Sequence, residues 1–164
     1  MFFFKRRNKK KKKERRKKEN SPIKFTPPPF DYHPKIILAW AKGIEGNGDL
    51  LDYLWKNDYK ELVITSHALK LKQEARDWLM NNNYPHFMAF VNASEGNRVA
   101  LSWLKHNKFD LFYNMALAVN GEDEGFIWLN KNSTQEYFYL TKVIKTLKDF
   151  IEHENNETHK RSPF

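Results

Sequence analysis

Apolar and polar positions recur along this chain at a fixed interval. An aromatic residue, a leucine, two variable positions and an asparagine form one motif. Its four copies stand 25 residues apart, at Tyr53-Leu54-x-x-Asn57, Trp78-Leu79-x-x-Asn82, Trp103-Leu104-x-x-Asn107 and Trp128-Leu129-x-x-Asn132. Self-similarity at a fixed period of this length is typical of stacked structural repeats. The pattern therefore predicts a repeat protein.

Other columns keep the same register and indicate the content of each unit. A small residue stands ten positions before each motif, at Gly43, Ala68, Ala93 and Ala118. An apolar or aromatic residue follows each motif, at Leu62, Phe87, Phe112 and Tyr137. Small side chains let helices cross closely, and we expect the tryptophans to pack between layers. Each unit has room for two short helices. We predict an all-α fold of helix-turn-helix units stacked as a small α-solenoid with two exposed rows of helices.

Turn residues place the ends of these helices. Pro34 and Pro85 suit the first turns of two helices, and Asp49 and Asn97 are the expected caps of the helices that follow them. Asn57 and its counterparts are predicted to take the left-handed conformation that ends a helix. The glycine column Gly46, Gly96 and Gly121 marks the turn inside a unit. Leu71 interrupts that column, which predicts a more continuous join between the two helices of the second unit.

The last helix differs from its predecessors. Ser133 and Glu136 have the spacing of a capping box at its start. An apolar stripe then continues to about Glu154, with charged residues on the other side, as expected for the terminal cap of a repeat stack. We therefore assign the repeat domain to residues 35–154 and expect residues 155–164 to fray.

Charge is concentrated at the other end of the chain. Residues 1–20 carry twelve Lys or Arg and two Glu, a net charge of +10, so residues 21–164 sum to −1 against the chain total of +9. Like charges this dense predict a disordered arm over residues 1–20. Three consecutive prolines, Pro27 to Pro29, predict a semi-rigid linker over residues 21–34.

The arm is the predicted polyanion-binding site, through Lys5, Arg6, Arg7, Lys9, Lys10, Lys11, Lys12, Lys13, Arg15, Arg16, Lys17 and Lys18. Its cations could neutralise the phosphates of nucleic acid or of an anionic lipid leaflet. Phe2, Phe3 and Phe4 stand ahead of the charges and could insert into a membrane interface or into a pocket of a ribonucleoprotein. The sequence leaves both surfaces open.

The composition of the chain indicates the cellular compartment to expect. The chain has no cysteine, which excludes disulfides and thiolate metal sites and fits a reducing environment. Its sequence contains no apolar stretch long enough to span a bilayer. We expect a cytoplasmic protein whose arm could hold it at the inner face of the membrane.

Motifs for catalysis are absent from the sequence. The six histidines form no metal-binding pair, and we expect His67, His86 and His106 on helix or turn surfaces. No phosphate-cradling glycine motif or nucleophile elbow occurs. The sequence therefore predicts a protein that is not an enzyme, with no catalytic residues, no metal, no cofactor and no small-molecule substrate.

The rhythm of helix, turn and capped helix over residues 35–154 resembles the short α-helical repeat proteins and is ankyrin-like. The chain lacks the Thr-Pro-Leu-His motif and the longer periods of the ankyrin and tetratricopeptide families. The resemblance is one of architecture and implies protein binding by analogy alone. We predict a scaffold that holds a protein partner on the repeat surface while the arm tethers it to a polyanion. The alternative is a ribosome- or RNA-associated protein in which the arm is the main binding element.

Overall fold

A computed structural model describes residues 32–160 of the chain. Over that range the fold is all-helical, with nine helices: α1 Pro34–Ile44, α2 Gly48–Lys56, α3 Lys60–Leu69, α4 Gln73–Asn81, α5 Pro85–Ala93, α6 Arg98–His106, α7 Asp110–Val119, α8 Asp123–Asn132 and α9 Gln135–Lys160. The arm, residues 1–20, and residues 21–31 of the linker lie outside the described range. Pro34 and Pro85 both stand in the first turn of a helix, as predicted for a residue without a backbone N–H.

The odd-numbered helices form a closed ring. Helices α1, α3, α5 and α7 pack side by side in chain order, and α9 contacts both ends of this row, at α7 and at α1. Their side chains share one core in which Trp40 of α1 lies against Phe87 of α5, and Phe87 against Phe112 of α7, with centroid distances of 6.2 and 5.2 Å. These helices are therefore largely buried.

The even-numbered helices α2, α4, α6 and α8 lie outside the ring and form the outer row. Each packs on the helix before and after it in the chain. The leucine of each repeated motif is fully buried: Leu54, Leu79, Leu104 and Leu129. The prediction of two exposed rows of helices was wrong, since α9 closes the inner row and only the outer row faces solvent along its length.

The asparagine of each motif closes the C-terminus of an outer helix through its side chain. Asn57, Asn82 and Asn107 donate from Nδ2 to the carbonyl oxygen of the motif's aromatic residue at 2.8 Å, and Asn132 does so at 3.0 Å. In the first three copies the same carbonyl also accepts the backbone N–H of the asparagine, at 3.1, 3.0 and 3.0 Å, so the side chain adds a second hydrogen bond there. The predicted left-handed asparagines were wrong. The next residue takes that conformation, at Asp58, Asn83 and Lys108, with φ of 66°, 65° and 61°.

The turn inside each unit is the same in all four copies. Gly46, Gly96 and Gly121 have φ of 116°, 84° and 85°, and Leu71 has φ of 66° in the same column. The predicted continuous join in the second unit was therefore wrong. Leu71 adopts this turn despite its side chain, and α3 and α4 pack on one another on either side of it.

Helix starts were predicted with mixed success. Asn97 caps α6 as expected, accepting from the Ala100 N–H at 3.0 Å. At α2 the cap is Asn47 and not Asp49, since Asn47 Oδ1 accepts from the Leu50 N–H at 3.2 Å. The Ser133 hydroxyl donates to the Leu129 carbonyl at 2.7 Å, so it closes α8 instead of opening α9. Helix α9 also continues past Glu154 to Lys160.

Candidate binding surfaces

Large apolar side chains are exposed along the outer row. Most of the described large hydrophobic residues with substantial exposure belong to it, each at least 44% exposed: Tyr53, Trp55, Met80, Val99 and Ile127. Tyr53 and Trp55 adjoin Leu54 in sequence and therefore lie on opposite flanks of α2, as Met80 lies on a flank of α4 beside Leu79. Exposed apolar side chains indicate an interaction surface where they form a contiguous patch, which makes the outer row the candidate surface.

The motif tryptophans lie at the edge of this outer row. Trp78, Trp103 and Trp128 are half-buried, so their predicted position between layers was only partly right. Trp78 stacks on Tyr84 with centroids 5.7 Å apart, and Trp103 stacks on Phe109 at the same distance. Each of these two indoles therefore covers the junction with the next inner helix while its other face reaches solvent.

A groove of about 430 Å³ lies between the C-terminal end of α1 and the middle of α9. Ile44 and Val143 are buried and form its floor, and Leu147 is half-buried beside them. Phe150 stands at its far end with 62% of its surface exposed. The remaining lining residues are polar: Glu45, Tyr139, Lys142 and Thr146. The groove is mainly apolar, with charged groups at one end.

A closed triad of hydrogen bonds holds that charged end together. Lys42 Nζ lies 2.7 Å from Glu45 Oε2 and donates to the Tyr139 hydroxyl at 2.8 Å, while that hydroxyl donates to Glu45 Oε1 at 2.8 Å. The hydrogen bonds from Lys42 and from Tyr139 hold the pKa of Glu45 below its usual value, and those of Glu45 and Tyr139 raise the pKa of Lys42. The charges of Lys42 and Glu45 therefore offset one another.

Lys142 supplies the other charge at this end of the groove. Its ammonium lies 4.9 Å from the centroid of the Phe138 ring, a cation–π contact of modest strength at an exposed site. Because the triad is internally neutral, the charge presented at this end of the groove is positive.

The position of α9 is fixed by a buried lysine. Lys148 Nζ donates to the carbonyl oxygen of Leu69 at 3.0 Å and to Glu95 Oε1 at 2.8 Å, and Arg76 also binds Glu95. Burial lowers the pKa of Lys148, and the nearby Glu95 opposes that effect. These bonds join α9 to the end of α3 and to the turn after α5.

Two other titratable groups lie where the inner helices begin, Tyr32 half-buried and His86 fully buried. The Tyr32 hydroxyl donates to Glu61 Oε1 at 2.6 Å, and burial followed by the Glu61 charge raises the pKa of Tyr32. His86 is fully buried against Phe87 and Phe109, with centroids 4.8 and 5.2 Å away. The prediction of a surface position for His86 was wrong. At the 25-residue period its column reads Glu61, His86, Leu111 and Glu136, so the sequence contains no consistent signal for burial at this position.

The predicted arm residues Lys5 to Lys18 and Phe2 to Phe4 lie outside the described residues. Within residues 32–160, no cluster of three or more His, Asp or Glu side chains is placed to hold a metal ion. No helix in that range is both long and apolar enough to cross a membrane. Comparison with known proteins gives no family, no curated protein and no solved structure that matches the chain.

Proposed function

We propose that this chain is a non-enzymatic adaptor. Its body, a set of 25-residue helix-turn-helix units closed by α9, binds a protein partner through the outer row, and residues 1–20 tether it to a polyanionic surface. The observation that supports the proposal most directly is the set of exposed apolar side chains on α2, α4, α6 and α8. Helical-repeat proteins use extended rows of this kind for binding.

The composition of the outer row fits a protein partner. Tyr53, Trp55 and Met80 belong to the side-chain types that are enriched at protein interfaces, where aromatic residues contribute much of the binding energy. They stand on helices whose buried leucines and side-chain caps fix them to the body. A surface on rigid helices loses little conformational entropy when it binds.

Charge separation supports the tether. The net charge of +10 over residues 1–20 contrasts with −1 over residues 21–164, so attraction to a polyanion resides in the arm. An anionic membrane would bind the basic residues and Phe2 to Phe4 together, since stable anchoring to a membrane needs two such signals. The same charges support the alternative, an RNA- or ribosome-associated protein in which the arm is the main binding element.

Two full-length variants separate these roles. In one, the twelve basic arm residues are replaced by glutamine; in the other, Trp55, Met80 and Ile127 are replaced by serine. Co-sedimentation with anionic vesicles and with total RNA measures the tether, and cross-linking in cell extract followed by mass spectrometry identifies proteins bound at the outer row. The adaptor proposal expects the arm variant to lose only polyanion binding and the outer-row variant to lose only its protein partner.

The results also discriminate against the alternative. If the arm variant loses every association, and binding of the wild type to RNA falls steeply with salt, the arm is the binding element. If the outer-row variant keeps all its protein cross-links, the outer row is not the partner surface.

A further inference from the structure

The face of α9 beside the groove carries both halves of a self-complementary contact. We propose that two copies of this chain associate through it, with their α9 helices antiparallel and with Phe150 of each copy lying in the groove of the other. This inference is independent of the outer row and of the arm.

The apolar half of the contact is the groove and the aromatic side chain at its end. Phe150 is 62% exposed, an unfavourable state for so large an apolar surface. Antiparallel helices related by a two-fold axis between Thr146 and Leu147 place residues equally far from the axis opposite one another. Phe150 of one copy then lies beside Val143 of the other, above the floor that Val143 forms with Ile44. The same contact forms twice in each dimer.

The charged half is the change of sign along α9. Lys142 precedes Leu147 on the helix, whereas Glu154 and Glu157 follow it. Lys145 and Asp149 offset one another at 3.1 Å, and Glu152 lies on the side of buried Lys148. An antiparallel copy brings the acidic second half of α9 to Lys142 at the charged end of the groove. Glu45 does not oppose this approach, since Lys42 already offsets its charge at 2.7 Å.

These two features together select a second copy as the occupant. The groove can receive an apolar side chain, and Lys142 at its charged end can receive a carboxylate about one helical turn further along the same helix. Helix α9 itself carries this pair, Phe150 followed by Glu154. A parallel arrangement would instead place Lys142 beside Lys142 of the second copy. Electrostatic complementarity of this kind fixes register and orientation.

Sedimentation equilibrium of the full-length chain over a range of concentrations tests the association. We expect a reversible monomer–dimer equilibrium, and we expect Phe150→Asp to raise its dissociation constant tenfold or more. Met80→Asp is the matched control, since Met80 is 57% exposed but lies on α4, and it should leave the equilibrium unchanged. A wild-type chain that stays monomeric at millimolar concentration overturns the proposal, as does equal weakening by the two variants.

A charge exchange tests the orientation. Lys142→Glu alone, and Glu154→Lys with Glu157→Lys in another chain, should each weaken the homodimer, because both place like charges opposite one another. Mixing the two chains should restore association as a heterodimer, whereas Lys131→Glu on α8 should have no effect. Failure of the mixture to associate more strongly than either chain alone rules out the antiparallel contact.

The absence of cysteine from the sequence allows a direct readout of the two-fold axis. Thr146→Cys introduces a single exposed thiol one residue from Leu147, and Ser102→Cys places a matched exposed thiol on α6. Mild oxidation should give disulfide-linked dimers of the Thr146→Cys chain well in excess of the Ser102→Cys chain. Equal yields from the two chains overturn the proposed axis.

Discussion

His86 should make the stability of the fold depend on pH. It is the second residue of α5, is fully buried among aromatic rings, and neither ring nitrogen has a hydrogen-bond partner. Burial lowers its pKa from 6.5 to about 4. The positive end of the helix dipole at the start of α5 disfavours the imidazolium further.

The direction of the effect follows from proton linkage. Below pH 6.5 the unfolded chain binds a proton at His86 that the folded chain does not, so the free energy of unfolding falls as the pH is lowered. The loss begins near pH 6.5 and is complete below pH 4. Between pH 7 and pH 5 it amounts to about 2 kcal/mol, which is a large fraction of the stability of a small domain.

Urea denaturation at pH 7 and pH 5 measures this effect when the wild type is compared with His86→Leu. Leucine is the natural choice because buried Leu111 occupies the same column. Carboxylates such as Glu45 titrate in both proteins, so the difference between them isolates His86. At pH 7 we expect the variant to be at least as stable as the wild type, since it buries no unpaired N–H. At pH 5 we expect it to be more stable by about 2 kcal/mol beyond any difference at pH 7.

Parallel changes in the two proteins between pH 7 and pH 5 would refute this reasoning. They would mean that His86 keeps an ordinary pKa in the fold and is therefore hydrated or hydrogen-bonded. Proton NMR titration of the His86 ring in the folded wild type gives an independent check, because the resonance should not shift until the pH approaches 4.

Three further substitutions test the repeat geometry by urea denaturation at pH 7. Leu71→Gly should stabilise the chain by up to about 1 kcal/mol, because it removes a side chain from a backbone with φ of 66°; a loss of stability would mean that the Leu71 side chain contributes more than its turn costs. Asn82→Ala should destabilise by about 1 kcal/mol through loss of its bond to the Trp78 carbonyl, and an unchanged midpoint would contradict that role. Gly125→Ala should destabilise by about 1–3 kcal/mol, since a methyl group there collides with the backbone nitrogen of Ala118; a neutral effect would show that α7 and α8 can separate.

The sequence predicted the local part of this fold well, because the relevant interactions are local. The leucine of each motif is buried in every copy, because its helix packs against the helices immediately before and after it in the chain. Prolines at helix starts and the Asn97 cap depend on one turn of backbone and were predicted correctly. The left-handed residue was misplaced by one position, because asparagine also closes a helix through its side chain, and composition alone does not distinguish the two uses.

The groove and the ring closure were not predictable in the same way. Both depend on the contact of α1 with α9, and the hydrogen bond between Lys42 and Tyr139 joins residues 97 positions apart. No periodic pattern encodes where a terminal helix docks. Helical periodicity shows that α9 has an apolar stripe, but a stripe suits a cap at the end of a stack as well as a helix that bridges both ends.

Lys148 connects the closure of the ring to the exposed face of α9. Successive residues of a helix are rotated by about 100°, so Phe150 points about 200° away from Lys148. Because Lys148 is held inward by the Leu69 carbonyl and by Glu95, Phe150 has to point outward. Its exposure is therefore imposed by a buried polar anchor and cannot be relieved by rotating the helix. A large apolar side chain fixed on the surface in this way is available to a second surface, and in the proposed dimer the groove of another copy covers it.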